Sequence, residues 1–489
     1  MTDHLPVLIF FVPLFAAVSM PVVGHWKKHL CRPIAVAAIA AGALLSVASL
    51  DHVLANGAAR YSFSGWSAPI GIEWLADSVS SIMVLAVCLL ALLCLVHGSS
   101  IDRRLIRGRI VPFYTIVLLL TSGLVGLVYA ADLFNVFVFL EVVAISAYAL
   151  VALPGGPALV AAFRYLILGT LGASCYLLGV GYFYAATGTL NLADLSLRVP
   201  ELLDSKAVVC GLIFMFIGLG IKMALLPLHG WLPSAYNNAP DLAVPMLAGL
   251  LTKVSLLVWV RILFWTTASA QGRPELPLFE LVSVLGALAA IAGGCLALYQ
   301  QRLKRIFAYG GIAHIGLVLI GVGQMNSTGL AGGLFYLMND AVMQFGLFAL
   351  AGVVAKQYGI RTLEQLGRAK VRNPWVLTAL IVVAVGMVGF PPTGGFFGKW
   401  QILLAALSAE NLLGAAALIL TTLLTIAYFV RIFERVFQGG EGASEATTAP
   451  IPHAMRISLL APAAAVVALG FFSSSIIAAL RKSIGGLGL

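Results

Sequence analysis

The chain has 489 residues, 61% of them apolar, with 29 Lys and Arg against 19 Asp and Glu and a formal net charge of +10. Soluble domains run nearer half apolar and a quarter charged, so a soluble enzyme, a nucleic-acid binder and a disordered protein are excluded. At roughly 20 residues per membrane helix the apolar total is enough for about fourteen spans, and the positive charge is expected to sort to one face of a bilayer.

Apolar runs bounded by turn residues and charges predict helices at 5–24, 33–50, 77–97, 109–129, 131–153, 158–186, 207–229, 241–267, 277–300, 305–324, 328–355, 374–408, 411–437 and 457–480. The runs are long and continuous, which excludes a β-barrel with its alternating pattern. The expected fold is an all-α polytopic membrane protein. In the first span, Lys27 and Lys28 follow the apolar run instead of preceding it. That order is the reverse of a cleavable signal peptide, so the span is expected to stay. Five cysteines lie inside apolar runs, Cys31 is expected in a loop, and no CxxC occurs. Neither a disulfide framework nor an iron–sulfur site is suggested, and no metal ligand set is expected.

The loops after the odd spans 1, 3, 9, 11 and 13 carry 18 of the 29 basic residues, in HWKKHLCR, DRRLIRGR, QQRLKR, KQYGIRTLEQLGRAKVR and the stretch from Arg431 to Arg456. The alternate loops and the termini carry six. This bias places the odd loops in the cytoplasm and both termini on the outer, periplasmic side; the membrane is expected to be a bacterial inner membrane. The longest loops, about 51–76, 187–206 and 438–456, leave no room for a soluble domain. No cofactor is expected in this chain, and any redox chemistry would belong to partner proteins.

A charge in hydrocarbon costs roughly 2.5–3.5 kcal/mol on insertion scales, so those inside the spans mark a protein-lined interior. They are Glu141, Arg164, Lys222, Lys253, Arg261, Asp340 and Lys399, with His314 beside them. Deep carboxylates, lysines and a histidine suit proton relay, because each group changes its neighbour's hold on a proton. Glu141, Lys222 and Lys253 sit well inside long apolar helices and read as functional. Arg261 reads as snorkelling to the outer interface. Arg164 fits either an anchor or a functional group, and Asp340 either structural pairing or relay. A lone histidine such as His314 is more often structural; lysines nearby favour a relay role.

Two spans carry breaks. The seventh reads GLGIKMALLPLHGWLP, with Pro227 following Lys222, and the twelfth reads GMVGFPPTGGFFGKW, with Pro391 and Pro392 before Lys399. Proline removes a helix hydrogen bond, so both spans should unwind within the membrane. A break beside a lysine, recurring five spans apart, is the pattern of two structural repeats of about five helices.

At these residues the chain resembles a known family. The stretches LFNVFVFLEVVAISAYALVAL, TGTLNLADL, GLGIKMALLPLHGWLPSAYNNAP, LAGLLTKVSLLVWVRI, LKRIFAYGGIAHIGLVLIG and GFPPTGGFFGKW are similar to the antiporter-like subunits. These are the proton-pumping membrane subunits of respiratory complex I, the Mrp-type sodium/proton antiporters and relatives in membrane-bound hydrogenases. Length and TGTLNLADL look most like the D-type subunits of the Mrp antiporters. The resemblance implies helices 1–3 in 1–108, two inverted five-helix repeats in 109–267 and 268–437, and a loop with a last helix in 438–489. It implies that Glu141 pairs with Lys222, that Lys253 is the central lysine, that Lys399 opens toward one side, and that His229 and His314 line a hydrated axis. It further implies membrane-subunit partners in an Mrp-like or complex I-like assembly, with protons and Na+ as candidate cargo. Two departures stand out. Asn339 and Gln344 flank Asp340 where relatives commonly carry a histidine and a lysine, and Gly310, Gly311 and Ala313 replace hydroxyl-bearing residues. These leave the path from Lys253 to Lys399 less well furnished: either water fills it, with Asp340 assisting or standing in for the missing lysine, or the chain belongs to a divergent complex with weaker coupling, at the limit a non-conducting scaffold subunit.

Overall fold

The computed structural model describes residues 4–98, 109–267, 277–438, 444–445 and 450–484. The arginines at 103, 104 and 107, the boundary expected at 267/268 and about half of the 438–456 loop lie outside them in whole or part. Helices follow one another along the chain: α1 (Leu5–Trp26), α2 (Cys31–Asn56), α3 (Ser78–Gly98), α4 (Ile110–Tyr129), α5 (Leu133–Ala152), α6 (Pro157–Thr187), α7 (Leu192–Arg198), α8 (Lys206–Lys222), α9 (Leu232–Asn238) and α10 (Val244–Thr267). The second half adds α11 (Leu278–Tyr299), α12 (Leu303–Val322), α13 (Ser327–Tyr358), α14 (Leu363–Arg368), α15 (Pro374–Val388), α16 (Gly394–Ser408), α17 (Leu412–Gln438), α18 (His453–Phe471) and α19 (Ser473–Ile484).

Twelve helices among the described residues are long and apolar enough to cross a membrane, and Pro374–Val388 is a shorter apolar helix. Those twelve correspond to every expected span except the seventh and the twelfth. These two are interrupted: α8 ends at Lys222 within the expected seventh span and α9 begins only beyond it, while α15 and α16 share the twelfth. The chain is a multi-pass membrane protein.

Local chemistry sets the ends of these helices. Asp132, Asn191, Asn326 and Asn373 precede α5, α7, α13 and α15, and each side chain accepts a hydrogen bond from a first-turn amide. Gly188, Gly359 and Gly389 close α6, α13 and α15 with positive φ, which costs glycine nothing. Several features differ from the sequence expectation, α14 among them, which forms in the loop expected after the eleventh span. A short antiparallel pair, Ala59–Ser62 with Glu73–Ala76, and the helix α7 form in segments expected as loops. Cys31 begins α2 and is buried, instead of lying in a loop.

The centre of the molecule is α10 and α13, each with 94% of its most apolar window buried, against 33% for α1 and 44% for α17. Helix α12 packs on both. Close approach rests on small residues where helices cross. A Cβ placed on Gly316 of α12 would stand 2.4 Å from the Gly286 carbonyl oxygen and 2.5 Å from the Ala290 nitrogen of α11, both backbone atoms that cannot turn aside. Gly316→Ala is therefore expected to separate α11 from α12 and to lower stability by about 1–3 kcal/mol, the usual cost of overpacking. Thermal melting of the purified protein in detergent checks this, and an unchanged midpoint would refute it.

Candidate functional site

At the first break α8 stops at Lys222, and the chain turns through Met223–Trp231 before α9, with Ala224 at φ 58°. Helix ends leave carbonyls without partners. Here Gly220 O accepts from Leu225 N at 2.8 Å and Ile221 O accepts from the Trp231 indole N–H at 2.8 Å. Tyr165 stacks on Trp231 with ring centroids 3.9 Å apart, so the turn is held from two sides. The buried Lys222 Nζ stands 3.4 Å from Glu141 Oε1, reaching from α8 to α5, and 6.0 Å from the centre of the Tyr148 ring. The Glu141 side chain keeps 31% of its surface exposed, and that of Lys222 only 6%. His229 lies half-buried on the turn, edge-on to Tyr309, and its Nδ1 bonds to nothing among the described residues.

The second break has a different solution. Helix α15 ends at Val388, Gly389 turns at φ 87°, and α16 begins at Gly394. Lys399, one turn into α16, donates to Met387 O at 2.8 Å, Val388 O at 3.0 Å and Thr422 Oγ1 at 3.3 Å. Its three ammonium hydrogens thus have three oxygen acceptors, two of them carbonyls released by the break. Here the break itself provides the lysine's acceptors.

Between the breaks lies a buried cluster. Lys253 of α10 stands 3.1 Å from Asp340 Oδ2 of α13 and donates to Ala248 O at 3.0 Å. Asp340 Oδ1 lies 3.0 Å from His314 Nδ1 of α12, and the Tyr336 hydroxyl lies 3.1 Å from that same nitrogen. Lys253 and Asp340 each expose 2% of their side chains and His314 none. One carboxylate therefore bridges a lysine and a histidine from three helices. Asp340 belongs to this centre as the counterion of Lys253, a more direct role than the replacement for a missing lysine read from sequence. Its neighbours Asn339 and Gln344 are also buried, and Asn339 Oδ1 and Gln344 Nε2 find no partner among the described residues.

The structure thus brings Glu141 to Lys222 and Lys253 to Asp340 and His314, while Lys399 and His229 bond to neither pair. Arg261 departs from its expectation. Rather than snorkelling, it pairs with Asp77 at 2.7 Å and donates to Val128 O at 2.7 Å, both side chains largely buried. The acid sits immediately before α3, and its position at the end of an apolar run was a readable signal. Arg164 is exposed on α6. Tyr148, Tyr336 and Trp231 escaped the sequence reading because an aromatic residue in an apolar helix looks like core.

Residues 130–425 match the family described as NADH:quinone oxidoreductase/Mrp antiporter, TM. The chain belongs to this family. It is similar to the N subunit of NADH-quinone oxidoreductase from Desulforudis audaxviator, at 37% identity over 98% of this chain and 97% of that one. It is also similar to the D subunit of the Na+/H+ antiporter from Alkalihalophilus pseudofirmus, at 30% identity over 90% of this chain and 88% of the relative. Its fold matches a chain of the Mrp complex from Dietzia sp. with a TM-score of 0.88 at 23% identity, covering 100% and 97% of the two chains. The overall fold is therefore shared with that chain, and both kinds of named relative span nearly the whole chain.

Proposed function

We propose that this chain is a proton-translocating subunit of a multisubunit membrane complex, exchanging protons for a cation in the manner of the D-type Mrp subunits. The observation that carries the reading is the buried Lys253–Asp340–His314 cluster, with Lys222–Glu141 on one side and Lys399 on the other. Buried ion pairs are poor stabilisers, since apolar residues of like volume do as well or better. Charges concentrated at two helix breaks and at the junction of three central helices are arranged for function.

In this reading Glu141, Lys222, Lys253, His314, Asp340 and Lys399 form a lateral relay, with His229 beside the first break. Protonation of Asp340 removes the charge that holds Lys253. The freed ammonium then favours its own deprotonation or a tighter Lys222–Glu141 pair, so proton movement at one station alters the next. Residues 109–267 and 268–437 act as two inverted five-helix repeats within fourteen crossings. The complex resides in a bacterial inner membrane with both termini outside.

A second reading, a subunit of a redox-driven NADH:quinone oxidoreductase-like complex, is favoured by the 37% identity to an N subunit over 98% of the chain. Purifying the native complex through a tag on this chain and identifying its partners separates the two. Small membrane subunits with sodium-driven proton flux in liposomes support exchange, and flavin and iron–sulfur partners support redox drive. Wild-type proton flux in Lys253→Ala under whichever drive applies would overturn both.

A further inference from the structure

Of the buried polar side-chain atoms left without a well-formed hydrogen bond among the described residues, three gather against one stretch of α12. They are His314 Nε2, Gln344 Nε2 and the Tyr428 hydroxyl. The Thr425 side chain lies beside the last of them. Tyr428 and Gln344 are each 1% exposed, so solvent outside the protein does not satisfy them. A polar atom in that position carries a desolvation cost unless something bonds to it, and ordered water is the usual partner.

The backbone of α12 explains why these two side chains come so close. A Cβ built on Gly310 would lie 3.1 Å from the Tyr428 hydroxyl, and one built on Gly311 would lie 3.2 Å from Gln344 Nε2. The bare helix thus makes room for a hydroxyl from α17 and an amide from α13. Gln344 lies one turn after Asp340 on α13, and His314 one turn after Gly310 on α12, so the amide and hydroxyl adjoin the Asp340–His314 contact. In the other direction Lys399 donates to Thr422 of α17, and the buried Thr425 and Tyr428 follow it at three-residue intervals. By helical rise Tyr428 stands about 9 Å beyond Thr422.

We propose that Tyr428 and Gln344 form the station through which protons pass between the Asp340–His314 pair and Lys399. This rests on the proton-translocating reading above. Tyr428 is the relay: its phenol oxygen accepts a proton from a bonded water on one side and releases its own hydrogen to water on the other. One proton enters, one leaves, and no charge stays on the ring. Gln344 is a positioning residue, because its amide cannot pass a net proton but fixes the orientation of what bonds to it.

The geometry supplies a rescue that a packing role would not show. Tyr428→Phe keeps the ring and removes the hydroxyl. Gly310→Ser then places a new hydroxyl on the carbon that the phenol oxygen had approached. Proton flux of the purified native complex in liposomes is expected to fall about tenfold or more in Tyr428→Phe, and to recover at least severalfold in Tyr428→Phe/Gly310→Ser but not in Tyr428→Phe/Gly310→Ala. Gln344→Met should lose flux and regain it with Gly311→Ser. Unchanged flux in Tyr428→Phe overturns the proposal, as does equal recovery with alanine or no recovery with serine. Lys253→Ala in the same assay separates the two failures: if it too keeps full flux, the translocation reading itself falls.

Discussion

Asp340→Leu is expected to abolish proton flux and to destabilise the protein by about 3–5 kcal/mol, the cost of leaving one member of a buried ion pair alone. The carboxylate is the only negative group bonded to Lys253 among the described residues; without it the ammonium keeps just the Ala248 carbonyl. Lys253→Met should be milder, because Asp340 still has His314 Nδ1 at 3.0 Å. The double variant Lys253→Met/Asp340→Leu should recover most of the lost stability, since neither charge then remains in the core, and should stay inactive. Thermal melting and proton flux measured on all three variants test the scheme. A double variant as unstable as Asp340→Leu would show that the two residues are not one electrostatic unit. Asp340→Asn isolates transport from stability: it preserves volume and one acceptor oxygen but cannot titrate. Full flux in Asp340→Asn would remove Asp340 from the path and leave His314 as the station beside Lys253.

That asymmetry could not be read along the chain. Lys253 and Asp340 are 87 positions apart on different helices, and in sequence Asp340 is only an acid inside a run of apolar residues. The same holds for Arg261 and Asp77, 184 positions apart: the arginine near a helix end looked like an interfacial anchor until its partner came into contact. Periodicity and composition act locally, whereas a counterion is chosen by which helices pack together. What was legible is what the chain determines locally. Twenty-residue apolar runs have few alternatives to helix in a bilayer, and Pro227, Pro391, Pro392 and the glycines beside them cannot sustain one. The Glu141–Lys222 contact was reached only through resemblance, and the 3.4 Å distance now gives it geometry. Tyr428 and Gln344 stayed hidden for another reason. Gly310 and Gly311 read as losses from α12, and the side chains that fill the space come from α17 and α13.

Glu141→Gln provides the converse of the Asp340 result, with a large effect on transport and a small one on stability. The Glu141 side chain leaves 31% of its surface uncovered by this chain, against 2% for Asp340, so less of the surrounding packing rests on it. Glutamine keeps the volume of the side chain and an oxygen that can still accept from the Lys222 ammonium, so melting should move little and assembly should be intact. Transport should nevertheless fall by about two orders of magnitude, the range expected when a positioned proton-transferring group is lost. An amide neither takes up a proton nor holds Lys222 by charge. Glu141→Asp should lie between the two, because it restores the charge but draws it back from Nζ by one methylene. Near wild-type flux in Glu141→Gln would end the role of this pair in the relay. A loss of stability as great as that of Asp340→Leu would show instead that the Lys222 ammonium depends on the Glu141 charge as fully as Lys253 depends on that of Asp340, and the contrast between the two pairs would then fail.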